Sequence, residues 1–390
     1  MRIYVIAGEA SGDRLGAALM DGLAVLAPEA EIRGIGGPEM IARGLNPLFD
    51  MDEISLMGIV EIARKYPSLK RRIAQTVRDV LDWKPDVLIT IDLPEFSLRV
   101  ARAVKERSDI RNVHYVAPTV WAWRPGRAAR MARHVDQVLA LFPFEPPYME
   151  AAGMRCDFVG HPVVTDPQAS EAEAAAFRMS QGLGDAPLAL VLPGSRRSEV
   201  TRLAPVFGEA LERAVEEMPD LRVVLPAAAP VADLVTRLAA DWPARPIVLD
   251  GRHARPEIKR AAFRAADVAL AASGTVSLEL AAAGTPMVIA YDMGWLSRQI
   301  IGRMLRVDSV TLVNLVSETR AVPEFIGAQC QPGAIAAALT RVLHHPKDQA
   351  RAMALTMERL GKGGEAPGLR AARAVLDGME DALWRGVDLG

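Results

Sequence analysis

Val268-Ala269-Leu270-Ala271-Ala272-Ser273-Gly274-Thr275-Val276-Ser277-Leu278-Glu279 changes character twice within one short stretch. Residues 268–271 form an unbroken apolar run of strand length. No polar residue alternates into the run, as expected of a strand buried on both faces of a parallel sheet. Ser273-Gly274-Thr275 then makes a turn, and a helical pattern follows. Strand, glycine turn and helix make one βα unit. Gly274 permits close backbone approach, and the free N–H groups of a first helical turn bind phosphate oxygens. Glu279, one turn further on, can accept from the two hydroxyls of a ribose. The same residues also read as ordinary helix capping by Ser273 or Thr275, with Glu279 countering the helix dipole.

The unit recurs along the chain. Strands are expected over 3–7, 31–34, 87–91, 112–116, 137–140 and 157–159, and the pattern restarts over 188–192, 222–226, 247–249, 268–271 and 287–290. Each is followed by a Gly, Pro, Asp or Ser cluster and then a helix-like segment, such as 12–26 or 96–107. Two successive α/β units fit 390 residues better than one large sheet. The boundary is placed near residue 165, giving domains over 1–165 and 166–346. After Pro346 the chain reads as helical, interrupted by a glycine-rich stretch over 361–368. The fold class expected is α/β, two doubly wound Rossmann-like domains facing a central cleft. Ligands then belong just after strands, at their carboxyl ends.

Leu192-Pro193-Gly194-Ser195-Arg196-Arg197-Ser198-Glu199 is a second such turn. Gly194 and Ser195 expose backbone donors, and Arg196 offers a planar fork suited to phosphate. Two such turns in one domain suit a nucleoside diphosphate; a capped helix with a surface arginine is the structural alternative. In the first half, Ile89-Thr90-Ile91-Asp92-Leu93-Pro94-Glu95-Phe96 puts Asp92 at the end of an apolar strand. A partly desolvated carboxylate suits a general base that accepts a hydroxyl proton. Asp92 or Glu95 capping the following helix is the other explanation. Gly8-Glu9-Ala10-Ser11-Gly12-Asp13 and Gly34-Ile35-Gly36-Gly37-Pro38 are glycine-rich, but both miss the dinucleotide fingerprint. Asp50-Met51-Asp52 is formally an Asp-x-Asp, a pattern short enough to arise by chance, and no metal is expected.

Bulk properties narrow the function. A formal net charge of −2 argues against a nucleic-acid partner. Cys156 and Cys330 are isolated and read as reduced thiols of a cytosolic protein. The apolar run at the N-terminus is only a strand long, so it is no signal peptide, and no stretch has the length of a membrane span. Membrane contact must then be peripheral. Basic and apolar residues do interleave between Met57 and Val77, where Lys65, Tyr66, Leu69, Lys70, Arg71 and Arg72 could meet anionic lipid. Residues 295–306 repeat that character. Each segment also reads as a core-facing helix with a solvated basic face. Aromatics cluster at Trp121-Ala122-Trp123-Arg124 and Phe142-Pro143-Phe144, while His114 and His161 read as satisfied core or hinge residues.

In order along residues 7 to about 315, these segments together resemble the lipid-A-disaccharide synthase family. The resemblance is carried by Ala7 to Asp13, Met57-Gly58-Ile59-Val60-Glu61, Ile91 to Phe96, His114-Tyr115-Val116-Ala117-Pro118, Trp121 to Arg124, Gly160-His161-Pro162, Leu192 to Arg196 and Ser273-Gly274-Thr275. It implies a GT-B fold and a metal-independent inverting transfer with no cofactor. UDP-2,3-diacylglucosamine would be the donor and 2,3-diacylglucosamine 1-phosphate the acceptor, giving a β-1,6-linked disaccharide and UDP at the cytoplasmic face of the inner membrane. Asp92 falls at the position of the family's general base and Glu9 at that of an acidic residue needed near it. Arg196 and the segment from Ser273 to Glu279 match its nucleotide turns. Asn314 matches an asparagine near the donor, although Val313 stands where the family usually has proline. The family also implies a homodimer exchanging C-terminal segments, with the final helices (347–390) packing back on the first domain. Other UDP-sugar enzymes of the same fold, a soluble N-acetylglucosaminyltransferase or a 2-epimerase, remain alternatives, as does a non-catalytic nucleotide-sugar sensor.

Overall fold

A computed structural model of the chain describes residues 1–55, 59–120, 126–293 and 308–387, with the side chains of 59–66 and 382–387 outside the description. The chain divides into two compact units. Met1–Thr165 with Gly363–Gly390 forms the first, and Asp166–Lys362 forms the second.

The first unit holds six parallel strands, β1 (Arg2–Ala7), β2 (Glu31–Ile35), β3 (Val87–Ile91), β4 (Arg111–Tyr115), β5 (Gln137–Ala140) and β6 (Arg155–Phe158). Their order is β2-β1-β3-β4-β5-β6. Successive side chains of a strand face opposite ways, and both faces of this sheet are covered. Ile3, Val5 and Ala7 join Leu19 and Leu23 of the helix Ala10–Leu26 and Ala371 and Val375 of the helix Pro367–Val387. Tyr4 and Ile6 join Leu69, Val77 and Val80 of the helix Ile59–Trp83 and Phe96 and Val100 of the helix Pro94–Lys105. Burial on both faces is why the central strands β1 and β3 read as nearly continuous apolar runs, whereas β2 and β6, less buried, do not.

The second unit repeats the plan with β7 (Leu188–Leu192), β8 (Arg222–Ala227), β9 (Ile247–Asp250), β10 (Val268–Ala272), β11 (Met287–Tyr291) and β12 (Glu324–Ile326), in the order β12-β11-β10-β7-β8-β9. All the pairings are parallel. In each sheet the order reverses once, between β1 and β3 and between β7 and β10. At such a point successive helices depart to opposite sides and leave a crevice beyond the strand ends.

The C-terminal helices depart from expectation. Only residues from Gly363 onward belong to the first unit. The helix Lys347–Arg359, expected there too, stays with the second. Gln349 bonds both the N–H and the C=O of Met287 at 2.9 and 2.8 Å, and Arg359 donates to the carbonyl of Val316. The chain leaves the second unit through Gly361 and Gly363, both at positive φ. The helix Pro367–Val387 then crosses Ala10–Leu26 at glycines. A methyl on Gly22 would lie 2.6 Å from the carbonyl oxygen of Gly368.

Candidate functional site

In the second unit, β10 and β7 pair with Ala271 opposite Leu192, so the turns at Ser273 and Gly194 leave the sheet side by side. They wall a cavity of about 640 Å³ at the strand-order reversal. Gly194, Ser195, Arg196, Ser273, Gly274, Thr275 and Glu279 all line it. Gly274 has a φ of +154° and open space where a side chain would be, so conformation and not crowding demands glycine there. The capping half of the structural alternative does not hold at this turn, although Glu279 does lie in the first helical turn, where it opposes the dipole. No side chain caps the helix Val276–Ala283, and the Ser273 hydroxyl is directed at the carbonyl of Val310.

Two assignments change. The N–H groups of Ser195 and Arg196 are engaged at 3.3 Å by the carboxylate of Glu199, at the start of the helix Arg197–Glu217. The Arg196 guanidinium, 80% exposed, lies 3.5 Å from Glu199 Oε1 and otherwise faces solvent. Asn314 does not line the cavity. It is fully buried, and its amide both donates to the carbonyl and accepts from the N–H of Val322, at 2.9 and 3.0 Å. It shapes the approach to β12. The cavity also runs past Ala228 after β8, Gly251 after β9, and Lys259 and Phe263 of the helix Pro256–Ala265. Sequence reasoning passed over these because Pro256–Ala265 reads as a plain surface helix.

In the first unit, Ala7 pairs with Ile91, so Gly8 and Asp92 follow adjacent strand ends at the other reversal. The Leu93 side chain packs against Gly8, filling the space that a side chain there would take. That contact draws the turn carrying Glu9 against the turn carrying Asp92. Asp92 and Leu93 both have positive φ, +47° and +45°, and Val116 after β4 has +84°. Non-glycine residues held there each cost on the order of 1–3 kcal/mol, and such strain clusters at functional sites. Asp92 N–H donates to the Tyr115 carbonyl at 3.0 Å. Burial raises the Asp92 carboxyl above its ordinary pKa, against the opposing pull of the Leu93 N–H and the Arg127 charge. Neither Asp92 nor Glu95 caps the helix Pro94–Lys105, whose N-cap is Leu93.

The other first-half candidates have structural roles. The glycine segment at Gly36 and Gly37 wraps an internal carboxylate: Asp13, 2% exposed, accepts from the N–H groups of Gly37, Glu39 and Met40. Asp50 accepts from Asp52 N–H and caps a short turn. Among the described residues no cluster of His, Cys, Asp and Glu is arranged to hold a metal. His114 and His161 are pushed down to about 4, in each case by burial first, then by Arg127 and by Arg14 respectively. His161 Nδ1 accepts from Val163 N–H, and His114 Nδ1 meets the Thr90 hydroxyl at 2.8 Å.

The expected lipid-facing segment divides. Leu69 is core, packed with Tyr4 and Phe96. Arg72 binds Glu53 and Gln75 and lies over the Phe49 ring. These two belong to the interior because they sit on the inward stripe of the helix Ile59–Trp83. Lys70 and Arg71 are exposed. The side chains of Lys65 and Tyr66 lie outside the described residues, as do 121–125 and 295–306. No described helix is long and apolar enough to cross a membrane.

Residues 3–373 match the family model described as lipid-A-disaccharide synthetase. The chain belongs to that family. It is 62% identical over 381 residues to a lipid-A-disaccharide synthase of Ruegeria pomeroyi, covering 97% of this chain and 95% of that one. To the synthase of Rhodospirillum centenum it is 44% identical, covering 96% and 94%. Solved structures similar to it include a UDP-N-acetylglucosamine 2-epimerase, so described as putative, from Listeria monocytogenes, with a TM-score of 0.64, 14% identity and coverage of 98% and 97%. The S. aureus MnaA–UDP co-structure gives a TM-score of 0.64 at 14% identity, covering 96% and 94%. At that identity the likeness speaks for the fold, two doubly wound α/β units of the GT-B type.

Proposed function

We propose that the chain is a lipid-A-disaccharide synthase working by metal-independent, inverting glycosyl transfer. UDP-2,3-diacylglucosamine binds in the second-unit cavity, and 2,3-diacylglucosamine 1-phosphate is the acceptor. Asp92, positioned with the help of Glu9, takes the proton of the acceptor's 6-hydroxyl as that oxygen bonds to the donor's anomeric carbon. The bond from that carbon to the UDP oxygen breaks. UDP leaves with the electron pair, its charge met by Arg196 and the uncapped helix start at Ser273-Gly274-Thr275. The observation that carries this reading is the cavity itself, with two turns at the strand-order reversal and both Arg196 and Glu279 in its lining. The carboxylate of Asp92, raised by burial on a strained turn, supports the base assignment.

The test is UDP release in mild detergent with EDTA present, using the acylated pair and, separately, UDP-N-acetylglucosamine as donor. Turnover with the acylated pair alone, lowered on the order of 10²–10⁴-fold in Asp92→Asn, fits the proposal. Turnover with the soluble donor instead reassigns the chain to another UDP-sugar enzyme. UDP binding without turnover leaves a sensor.

Both substrates are lipids, so we place the enzyme at the cytoplasmic face of the inner membrane, with Lys70 and Arg71 toward anionic headgroups. A homodimer exchanging C-terminal segments would seat a second copy's helix on Ala10–Leu26 where the chain's own helix lies. Light scattering at graded concentration distinguishes the two forms.

A further inference from the structure

Lys259 stands on the cavity wall with no part in the reaction above. Its Nζ donates to Glu279 Oε2 at 2.7 Å and lies 5.0 Å from the ring centre of Phe263, one turn further along the same helix. All three residues line the cavity. Both members of the ion pair are nearly half exposed, 47% and 41%. Such a pair adds little to folding stability. Its placement therefore matters more for the ligand. A glutamate on a cavity wall has three side-chain torsions, and accepting from a ribose diol requires one arrangement of them. Lys259 fixes one carboxylate oxygen. The other, Oε1, has no partner among the described residues. The ammonium also offsets a negative charge that would oppose an arriving diphosphate.

We propose that Lys259 is a positioning residue for the nucleotide. It orients the Glu279 carboxylate so that the ribose diol is recognised, and so sets the preference for ribo- over 2′-deoxyribonucleotide. The inference rests on Glu279 as the ribose acceptor, and the experiment separates the two claims.

Calorimetric titration of the full chain with UDP and with 2′-deoxy-UDP gives the ratio of affinities. A hydrogen bond to a carboxylate makes the wild-type preference for UDP about tenfold or more. Lys259→Met is expected to lose most of that preference and Lys259→Arg to recover much of it, while Glu279→Gln abolishes it. Full wild-type preference in Lys259→Met, with loss in Glu279→Gln, overturns the positioning role and leaves the ribose assignment intact. Equal weakening of both nucleotides in Lys259→Met overturns it too, by showing direct contact or bulk charge. Retained preference in Glu279→Gln removes the ribose assignment and the inference with it.

Discussion

Replacing Asp13 by asparagine tests whether the glycine-rich segment near Gly37 is a filled internal site. Asp13 Oδ1 accepts from Gly37 at 2.8 Å and Met40 at 3.1 Å, and Oδ2 accepts from Glu39 at 2.9 Å. Asparagine is the same shape but has one acceptor oxygen. Its best orientation keeps Gly37 and Met40 and sets an amide nitrogen against the Glu39 N–H. Losing one charge-assisted bond, with its donor left facing another donor, costs about 2 kcal/mol. Removing the charge from the other two costs roughly 1 kcal/mol more. A deficit of about 3 kcal/mol in a unit of this size lowers its melting midpoint by roughly 6–12 °C. Scanning calorimetry of the full chain reads the midpoint, and UDP titration serves as a control because the cavity proposed to take UDP lies in the other unit. A midpoint within about 2 °C of wild type, equivalent to about 1 kcal/mol or less, would refute the reasoning and reopen this segment as a ligand loop.

If Asp92 is the proposed base, its ionised form is the active one and burial has raised its pKa, so kcat/KM should fall as pH drops through a value above the ordinary 3.8. Asp92→Asn should flatten that acid limb. It should also stabilise the fold by about 1 kcal/mol, since it removes a penalised charge and asparagine tolerates positive φ; an unchanged or lower melting midpoint counts against the strain argument. Gly22→Ala forces backbone apart at Gly368, costing about 1–3 kcal/mol, visible as faster hydrogen exchange over Pro367–Val387. Serine at both Lys70 and Arg71 should weaken anionic-vesicle binding on the order of 30-fold at unchanged UDP affinity, from about 1 kcal/mol per basic residue; unchanged sedimentation sinks the lipid assignment.

The strands were legible because burial on both faces leaves apolar runs, unbroken at Leu188–Leu192 and interrupted only by Thr90 at Val87–Ile91. β4 ends one residue before the expected Val116 because that residue turns to positive φ. β12 was not anticipated, being a half-buried edge of three residues. Both turns that wall the second-unit cavity were visible, since strand, glycine and helix occur in local sequence. What was hidden depended on which way a helix faces. A mixed basic-apolar segment on Ile59–Trp83 does not say that Leu69 and Arg72 turn inward, nor does Pro256–Ala265 show that Lys259 reaches Glu279. Asn314 fits a motif yet is spent on Val322, a partner no local pattern reveals.

The glycine crossing of Ala10–Leu26 by Pro367–Val387 also sets a timetable for synthesis. One of the first helices made packs on the sheet early but must wait for one of the last before the rest of its apolar face is covered. At about 5–20 residues per second, translating the intervening Asp166–Lys362 takes on the order of 10–40 s. Throughout that interval the nascent first unit presents Leu19 and Leu23 without Ala371 and Val375, the interval in which a ribosome-bound chaperone would find most to hold.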